Sequence, residues 1–425
     1  MKTVGIIAEY NPFHNGHAYQ LAKARELTGA DYAVVVMSGN FVQRGLPAMT
    51  DKYSRAEMAL WGGADLVLEL PVSYATGSAE AFAQGAVSLL DSLGCIDTLC
   101  FGSECGDISA LLPYARLFEE EPELYTQLLK EYVKQGFSFP AARSRAAEEY
   151  RNCTERILPC AASDADCRNL SRLLEEPNNI LGIEYCRALL RQKSSIRPVT
   201  IERISSGYHD LSLDAELASA SAIRHALAEN IRLEEVLSQI PDFCRSVLQK
   251  VLENSGLMQF DDFSSVLFYR LLSLTREDLE TFQDITKDLA ARIDNLRFQF
   301  TTASAFADLL KTKQVTHTRI TRALCHLLLN LKQADLKALR SQNYPTYARV
   351  LGFRKSAAPL LSAVKQKGTS PLLVKTADAS SVLTSVQTRL FEQDVYAAHV
   401  YESARVCRFG TPFTNEYTRS PVILP

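Results

Sequence analysis

The sequence predicts a doubly wound α/β domain followed by a mainly helical half. Three observations carry this: short apolar runs alternate with helical patterns over the first hundred residues, the intervening helices are long enough for right-handed crossovers between parallel strands, and strand signals fade after about residue 230. In chain order, "TVGIIAEY" reads as a buried strand and "HAYQLAKARELTG" as a helix stopped by Gly29. "DYAVVVMSG" is a second strand. "DKYSRAEMALWGG" is a helix with Asp51 as its N-cap, and "ADLVLELP" is the third strand. "SAEAFAQGAVSLLDSLG" and "IDTLCFGSE" supply a third helix and a fourth strand.

From residue 106 to 191 the pattern is helical and charge-mixed, an insertion or extension, before "RPVTIERI" returns as a fifth strand with the turn "SSGYHD" behind it. Beyond residue 230, "FDDFSSVLFYRLLSLT" and "TRITRALCHLLLNLK" are the clearest amphipathic helices. The tail "RFGTPFTNEYTRSPVILP" is irregular, a strap or an exposed end. The expected division is a catalytic domain over 1–230 carrying the insertion, and a helical domain over 231–425.

At 425 residues the chain exceeds one ordinary core, which favours two domains. No stretch is apolar enough to span a bilayer, and the N-terminus lacks a signal peptide's apolar core, so the expected location is cytoplasmic, with no membrane role. The ten cysteines include no C-x-x-C pair, and Cys153, Cys160 and Cys167 follow one helical face. Reduced packing thiols are expected, and no metal site. Net charge is −3, but Lys311 to Lys375 holds thirteen Lys or Arg against one acid, Asp335. A segment this basic in an acidic protein is a candidate phosphate-backbone footprint, with Tyr344, Tyr347 and Phe353 among the cations as candidate base-stacking groups.

The first strand-to-helix turn carries the chemistry. In open α/β sheets this turn meets a ligand's phosphates. Here it reads "EYNPFHNGH", with neither G-x-G-x-x-G nor G-x-x-x-x-G-K-[ST]. Asn11 and Pro12 shape the turn, Gly16 admits close approach, and His14 and His17 straddle the start of a helix whose positive dipole end faces an anion. Imidazole N–H donors at that point stabilise the charge that develops when ATP is split between its α- and β-phosphates, which is adenylyl transfer. Metal binding by the pair has only Glu9 as an obvious third ligand.

These residues resemble the nucleotidyltransferase superfamily with the H-x-G-H signature, which implies a Rossmann-like sheet of that type. The superfamily's second element, S-S-T-x-[IV]-R, is similar to "SASAIR", Ser219 to Arg224, with Ala220 and Ser221 departing from it. The resemblance implies that Ser221 and Arg224 hold β- and γ-phosphates. More closely, "MSGNFVQRGLPA", "DKYSRAEMAL", "DLVLELP", "FGSE", "PNNILGIEY" and "ERISSGYHD" resemble the tRNA(Met) cytidine acetate ligase family. That resemblance implies activation of acetate by ATP to acetyl-adenylate, with Mg2+ accompanying ATP. Acetyl transfer to the exocyclic amine of the wobble cytidine of elongator tRNA(Met) follows.

Carried over by position, Ile7, Ala8, Glu9, Tyr10, Asn11, Pro12, Phe13, His14, Asn15, Gly16 and His17 are expected around ATP. Gly102, Asn178, Asn179, Arg203 and Ile204 complete that site, and Lys23 and Arg44 are the cations expected to draw acetate to the α-phosphate. The lesser alternative for Asn178 and Asn179 is to cap a helix beginning near Ile180, while His209 with Asp210 reads equally as an acid–base pair or as a turn and is kept off the catalytic set. No protein partner is evident. Two rival functions stay open on the sequence: an adenylyltransferase for a small phosphorylated metabolite, and a non-catalytic RNA-binding protein.

Overall fold

The computed structural model describes residues 1–154, 173–203, 218–228, 233–254, 256–312 and 314–425. Ile204, His209, Asp210, Cys160 and Cys167 lie outside the described residues. The strands are β1 (Thr3–Ala8), β2 (Tyr32–Ser38), β3 (Phe41–Val42), β4 (Leu46–Pro47), β5 (Leu66–Leu70), β6 (Thr98–Ser103), β7 (Arg197–Glu202), β8 (Ala348–Arg354), β9 (Leu372–Leu373) and β10 (Val422–Leu424). The main sheet runs β10-β8-β5-β2-β1-β6-β7, with β9 beside β8, while β3 and β4 form a separate hairpin.

Strands β5, β2, β1, β6 and β7 are parallel, as the alternating pattern requires. Successive side chains of a strand face opposite sides, so a sheet covered on both faces needs apolar residues throughout. In β2, Val34 and Val36 enter one core while Ala33, Val35 and Met37 enter the other. The chain leaves β1 to either side, to β2 and to β6, so a crevice opens at the carboxyl end of β1. Helix α1 (Asn15–Thr28) starts at that crevice and ends at Gly29, which adopts φ +60° as its C-cap. Helix α2 (Lys52–Trp61) is capped by Asp51, whose carboxylate accepts from the Tyr53 and Ser54 amides.

The insertion forms the helices Ile108–Glu120, Glu123–Lys134, Phe139–Thr154 and Pro177–Gln192, packed on the sheet's first core. A third core gathers Phe263, Leu267, Phe306, Leu324 and Tyr401 of the second half and takes in Phe41 of the β3–β4 hairpin and Val72.

The second half is not confined to helices. Strand β8 pairs antiparallel with β5, and β10 pairs parallel with β8, so the sheet continues past the expected limit at residue 230. The tail is a strap, and a buried ionic cluster fastens it. Lys52 Nζ lies 2.7 Å from both Glu69 and Glu416. Arg349, opposite Glu69 across the β5–β8 ladder, reaches Glu69 at 3.1 Å and also pairs with Glu416. Tyr53 donates to Glu416 at 3.0 Å. Burial alone raises the Glu416 carboxyl, but Lys52 and Arg349 hold it down to about 2.

Removing one charge from such a cluster leaves the others buried and uncompensated. Glu416→Gln is therefore expected to lower unfolding free energy by about 3–5 kcal/mol at pH 7, measured by urea denaturation. Because the folded carboxyl titrates below its unfolded value of 4.5, its stabilisation is complete above that value and is lost as pH falls toward about 2. The gap between wild type and variant should accordingly narrow on acidification through that window.

Candidate active site

After Ala8 the backbone turns sharply: Tyr10 adopts φ +50° and the Asn11-Pro12 peptide is cis. Tyr10 and Phe13 are fully buried and pack edge to face at 4.8 Å, and the Tyr10 ring also meets His17 at 4.8 Å. They brace the turn from beneath. Phe13 lies directly under Gly62, where a Cβ would stand 2.3 Å from its Cζ.

His14 is the N-cap of α1, and its Nδ1 accepts the Gly16 amide proton at 3.1 Å. The His14 amide in turn donates to His17 Nδ1 at 3.4 Å. Backbone amides can only donate, so both Nδ1 atoms are acceptors and each neutral ring carries its proton on Nε2. The rings stack with centroids 3.8 Å apart at 29°. Gly16 is required sterically, since a Cβ there would come within 2.9 Å of His14 Cε1 and push the imidazole off its amide.

Both imidazoles are kept neutral. Burial, with Arg203 and Arg224 nearby, lowers His14 to about 3. Burial, then His14 and the same two arginines, holds His17 well below its ordinary value. The positive charge at the site therefore resides on guanidinium groups. Arg224, on the helix Ala220–Ala228, donates to the Asn11 carbonyl at 2.7 Å and to Ser221 Oγ at 2.9 Å. Arg203 follows β7, and a Cβ on Gly102 would meet its Cγ at 3.1 Å. Arg44 sits in the β3–β4 turn, near enough to Arg224 to disfavour its charge. Gln43 ties that hairpin to the first turn by donating its amide to Glu9 Oε1 at 2.9 Å. A cleft of about 60 Å3 is lined by His14, Gly16, His17, Gly102, Arg203 and Ser219.

The structure thus brings together His14, Gly16, His17, Gly102, Arg203, Ser221, Arg224 and Arg44. Other expected residues stand differently. Ile7, Tyr10 and Phe13 belong to the core and support the turn from behind. Asn11 Oδ1 accepts the Met49 amide, and Asn15 donates to the Ser238 carbonyl. Lys23 lies nearly two helical turns beyond His17 and pairs with Glu26 at 2.8 Å. Asn178 and Asn179 donate their amides to Glu104 at the start of the helix Pro177–Gln192, and Asn179 is wholly buried with its side chain bonded to Glu176 and the Cys105 amide. The Glu104 carboxylate thus caps this helix, and Asn178 and Asn179 supply the amides it accepts.

Glu104, Arg55 and the Lys52–Glu69 pair are supporting residues to which the sequence alone attached no role. Glu104 is signalled only as the last letter of "FGSE". Among the described residues, no group of three or more His, Cys, Asp or Glu is placed to hold a metal ion.

A site of neutral Nε2–H donors makes a direct spectroscopic prediction. Nitrogen-15 spectra of the imidazoles should show His14 and His17 as Nε2–H tautomers that do not titrate from pH 8 down to pH 5. Titration of either near pH 6.5 would refute the assignment.

Comparisons with known proteins agree with this geometry. The HIGH Nucleotidyl Transferase family model matches residues 1–409. The tRNA(Met) cytidine acetate ligase of Thermoanaerobacter sp. is 41% identical over 405 residues, covering 95% of this chain and 96% of the relative. That of Clostridium perfringens is 38% identical over 427 residues and covers both chains fully. The apo crystal structure of Thermotoga maritima TmcAL superimposes with a TM-score of 0.93 at 32% identity over the whole of both chains. The form of TmcAL bound with alpha-thio ATP gives 0.90 over the same extent. With its family model spanning nearly the full length and its imidazole pair set at the start of α1, the chain belongs to the HIGH Nucleotidyl Transferase family.

Proposed function

We propose that the protein is an ATP-dependent tRNA(Met) cytidine acetate ligase, with residues 1–230 as its catalytic part and the second half presenting the RNA. The observation that carries the chemistry is the stacked pair of neutral imidazoles, each with its proton on Nε2, at a helix N-terminus flanked by Arg203 and Arg224. The full-length similarity to ligases of that name carries the substrate.

In the first half-reaction an acetate oxygen attacks the α-phosphorus of ATP, the bond to the β-phosphate oxygen breaks, and pyrophosphate leaves. Negative charge grows on the α-phosphate and the leaving group. His14 and His17 donate to the α-phosphate, and Arg224 with Ser221 receives the departing phosphates. Arg44 provides the cation that offsets repulsion between acetate and ATP. Preformed donors need no reorientation as this charge develops. Mg2+ would travel with the phosphates, because the described residues offer no carboxylate set of their own for it.

In the second half-reaction the cytidine amine attacks the acetyl carbon, AMP leaves with the shared electron pair, and the amine loses one proton. The mixed anhydride is already reactive, so the protein's task is presentation of the amine.

Among the described residues of the 311–375 segment, seven basic ones are exposed: Lys311, Lys337, Arg340, Lys355, Lys365, Lys367 and Lys375. They are the proposed phosphate contacts. Others serve the fold: Arg349 belongs to the ionic cluster, and Arg354 donates to the Leu60 carbonyl. The stacking role expected of Tyr344 and Tyr347 does not survive, since both are buried at 2% and 1% exposure, and Phe353 is partly buried against the core. The metabolite adenylyltransferase is disfavoured by full-length similarity to the ligases, and the non-catalytic reading by the complete imidazole and arginine set.

Transfer of radiolabelled acetate to tRNA tests the reading. Label should enter cytidine with ATP and not with acetyl-coenzyme A as donor, and His17→Ala should lower the rate about 10²–10³-fold. Labelling without ATP, or full activity of the variant, would sink it. Replacing Lys365 and Lys367 together by alanine should weaken tRNA binding, and flatten its salt dependence by about one unit of slope for each phosphate no longer neutralised. Acetate-dependent ATP–pyrophosphate exchange should stay at the wild-type level.

A further inference from the structure

The β3–β4 hairpin that carries Arg44 is held from the second half of the chain. Gly45 adopts φ +69° and lies so close to the helix His317–Leu328 that a Cβ would stand 2.3 Å from the Arg322 Cα and 2.6 Å from the Thr321 carbonyl carbon. Those are backbone atoms, so the approach admits no side chain. Beside this contact Thr321, 1% exposed, turns its hydroxyl to the Arg44 carbonyl at 2.6 Å. The Thr318 and His317 carbonyls are farther, at 3.0 and 3.3 Å. A hydroxyl has one proton to donate, and the shortest of three acceptor contacts receives it.

The helix itself is pinned on its next turns. Arg322 grips Asp284 through two bonds of 2.8 and 3.1 Å. His326, fully buried, sets Nδ1 3.2 Å from the Gln283 carbonyl and Nε2 3.0 Å from the Thr76 carbonyl, and its single N–H donates to one of them, packing the helix against the segment that follows β5. The opposite end of the linkage is the Gln43 amide on Glu9, the first residue of the turn that presents His14. A continuous hydrogen-bonded path therefore runs from the helical core to the phosphate site.

We propose that Thr321 is a positioning residue for adenylate formation: by fixing the Arg44 backbone against a pinned helix of the second half, it holds the Arg44 cation beside the transferring phosphate. The helical half then acts in the first half-reaction, before any tRNA is required. This rests on the ligase reading above and on Arg44 as the phosphate-side cation.

Acetate-dependent ATP–pyrophosphate exchange on the full chain tests it, with circular dichroism confirming that each variant is folded at the assay temperature. Thr321→Val, which keeps the shape and removes the proton, should lower kcat about tenfold with little change in the KM for ATP, while Thr321→Ser restores the rate. In an Arg44→Ala background Thr321→Val should have no further effect. Wild-type exchange by Thr321→Val, or the same loss in both backgrounds, overturns the proposal while leaving the ligase reading intact. A fully active Arg44→Ala chain overturns the role of Arg44 and the proposal together. A wild-type chain that exchanges pyrophosphate without acetate overturns the ligase reading and the proposal with it.

Discussion

The site depends first on one buried cation, Arg55. Its guanidinium is fully enclosed, and it donates to the carbonyls of Glu9 at 2.7 Å, Ser38 at 3.0 Å, Thr50 at 3.1 Å and also Gly39. Those acceptors lie just past the carboxyl ends of β1 and β2 and just before α2. Strand ends leave carbonyls without ladder partners, and several pointing inward together require a multiple donor. Arg55 supplies that from a single side chain, and so allows the turn after β1 to be both buried beneath and open above. Without it Tyr10 and Phe13 would have no fixed backbone to brace.

On that base the division of labour between histidine and arginine follows from desolvation. A buried imidazole near two guanidinium groups is driven to its neutral form, and the backbone amides of His14 and Gly16 select the Nε2–H tautomer for both rings. The N–H donors are thus fixed in place by the fold, while the positive charge at the site sits on guanidinium groups. Arg203, Arg224 and Arg44 come from the end of β7, from the helix Ala220–Ala228 and from the β3–β4 turn. These segments converge only when the sheet is complete.

That convergence also explains what was legible in the sequence. The strand, turn and helix that hold His14 and His17 are contiguous, so residue type and spacing suffice to read them, and the five parallel strands announce themselves as long apolar runs between helical patterns. Strands β8 and β10 do not. "ARVLGFR" is as long as β2 but is broken by Arg349 and Arg354 and lies in the most basic part of the chain, and its partner β5 is nearly 300 residues earlier. Local pattern likewise cannot show that Tyr344 and Tyr347 face inward, because aromatic residues among lysines look alike on a solvated and on a buried face. Asn178 and Asn179 are ambiguous in sequence for a related reason: an asparagine suits a helix start and a nucleotide, and the pattern does not reveal that the capping carboxylate comes from Glu104, more than seventy residues earlier.

The two halves of the chain are therefore not a catalytic body with a detachable RNA platform. Residues 1–230 by themselves would expose β5 as an open edge, since β8 covers it. They would also retain Lys52 and Glu69 without Arg349 and Glu416, breaking a cluster in which two basic and two acidic groups balance. The hairpin bearing Arg44 would lose Thr321 and the close approach at Gly45. A reaction that makes a hydrolysable acyl-adenylate and then delivers it to a bulky RNA needs the second substrate to meet the first at a fixed distance. Pairing β8 to β5 fixes the second half against the sheet that carries the site through backbone hydrogen bonds.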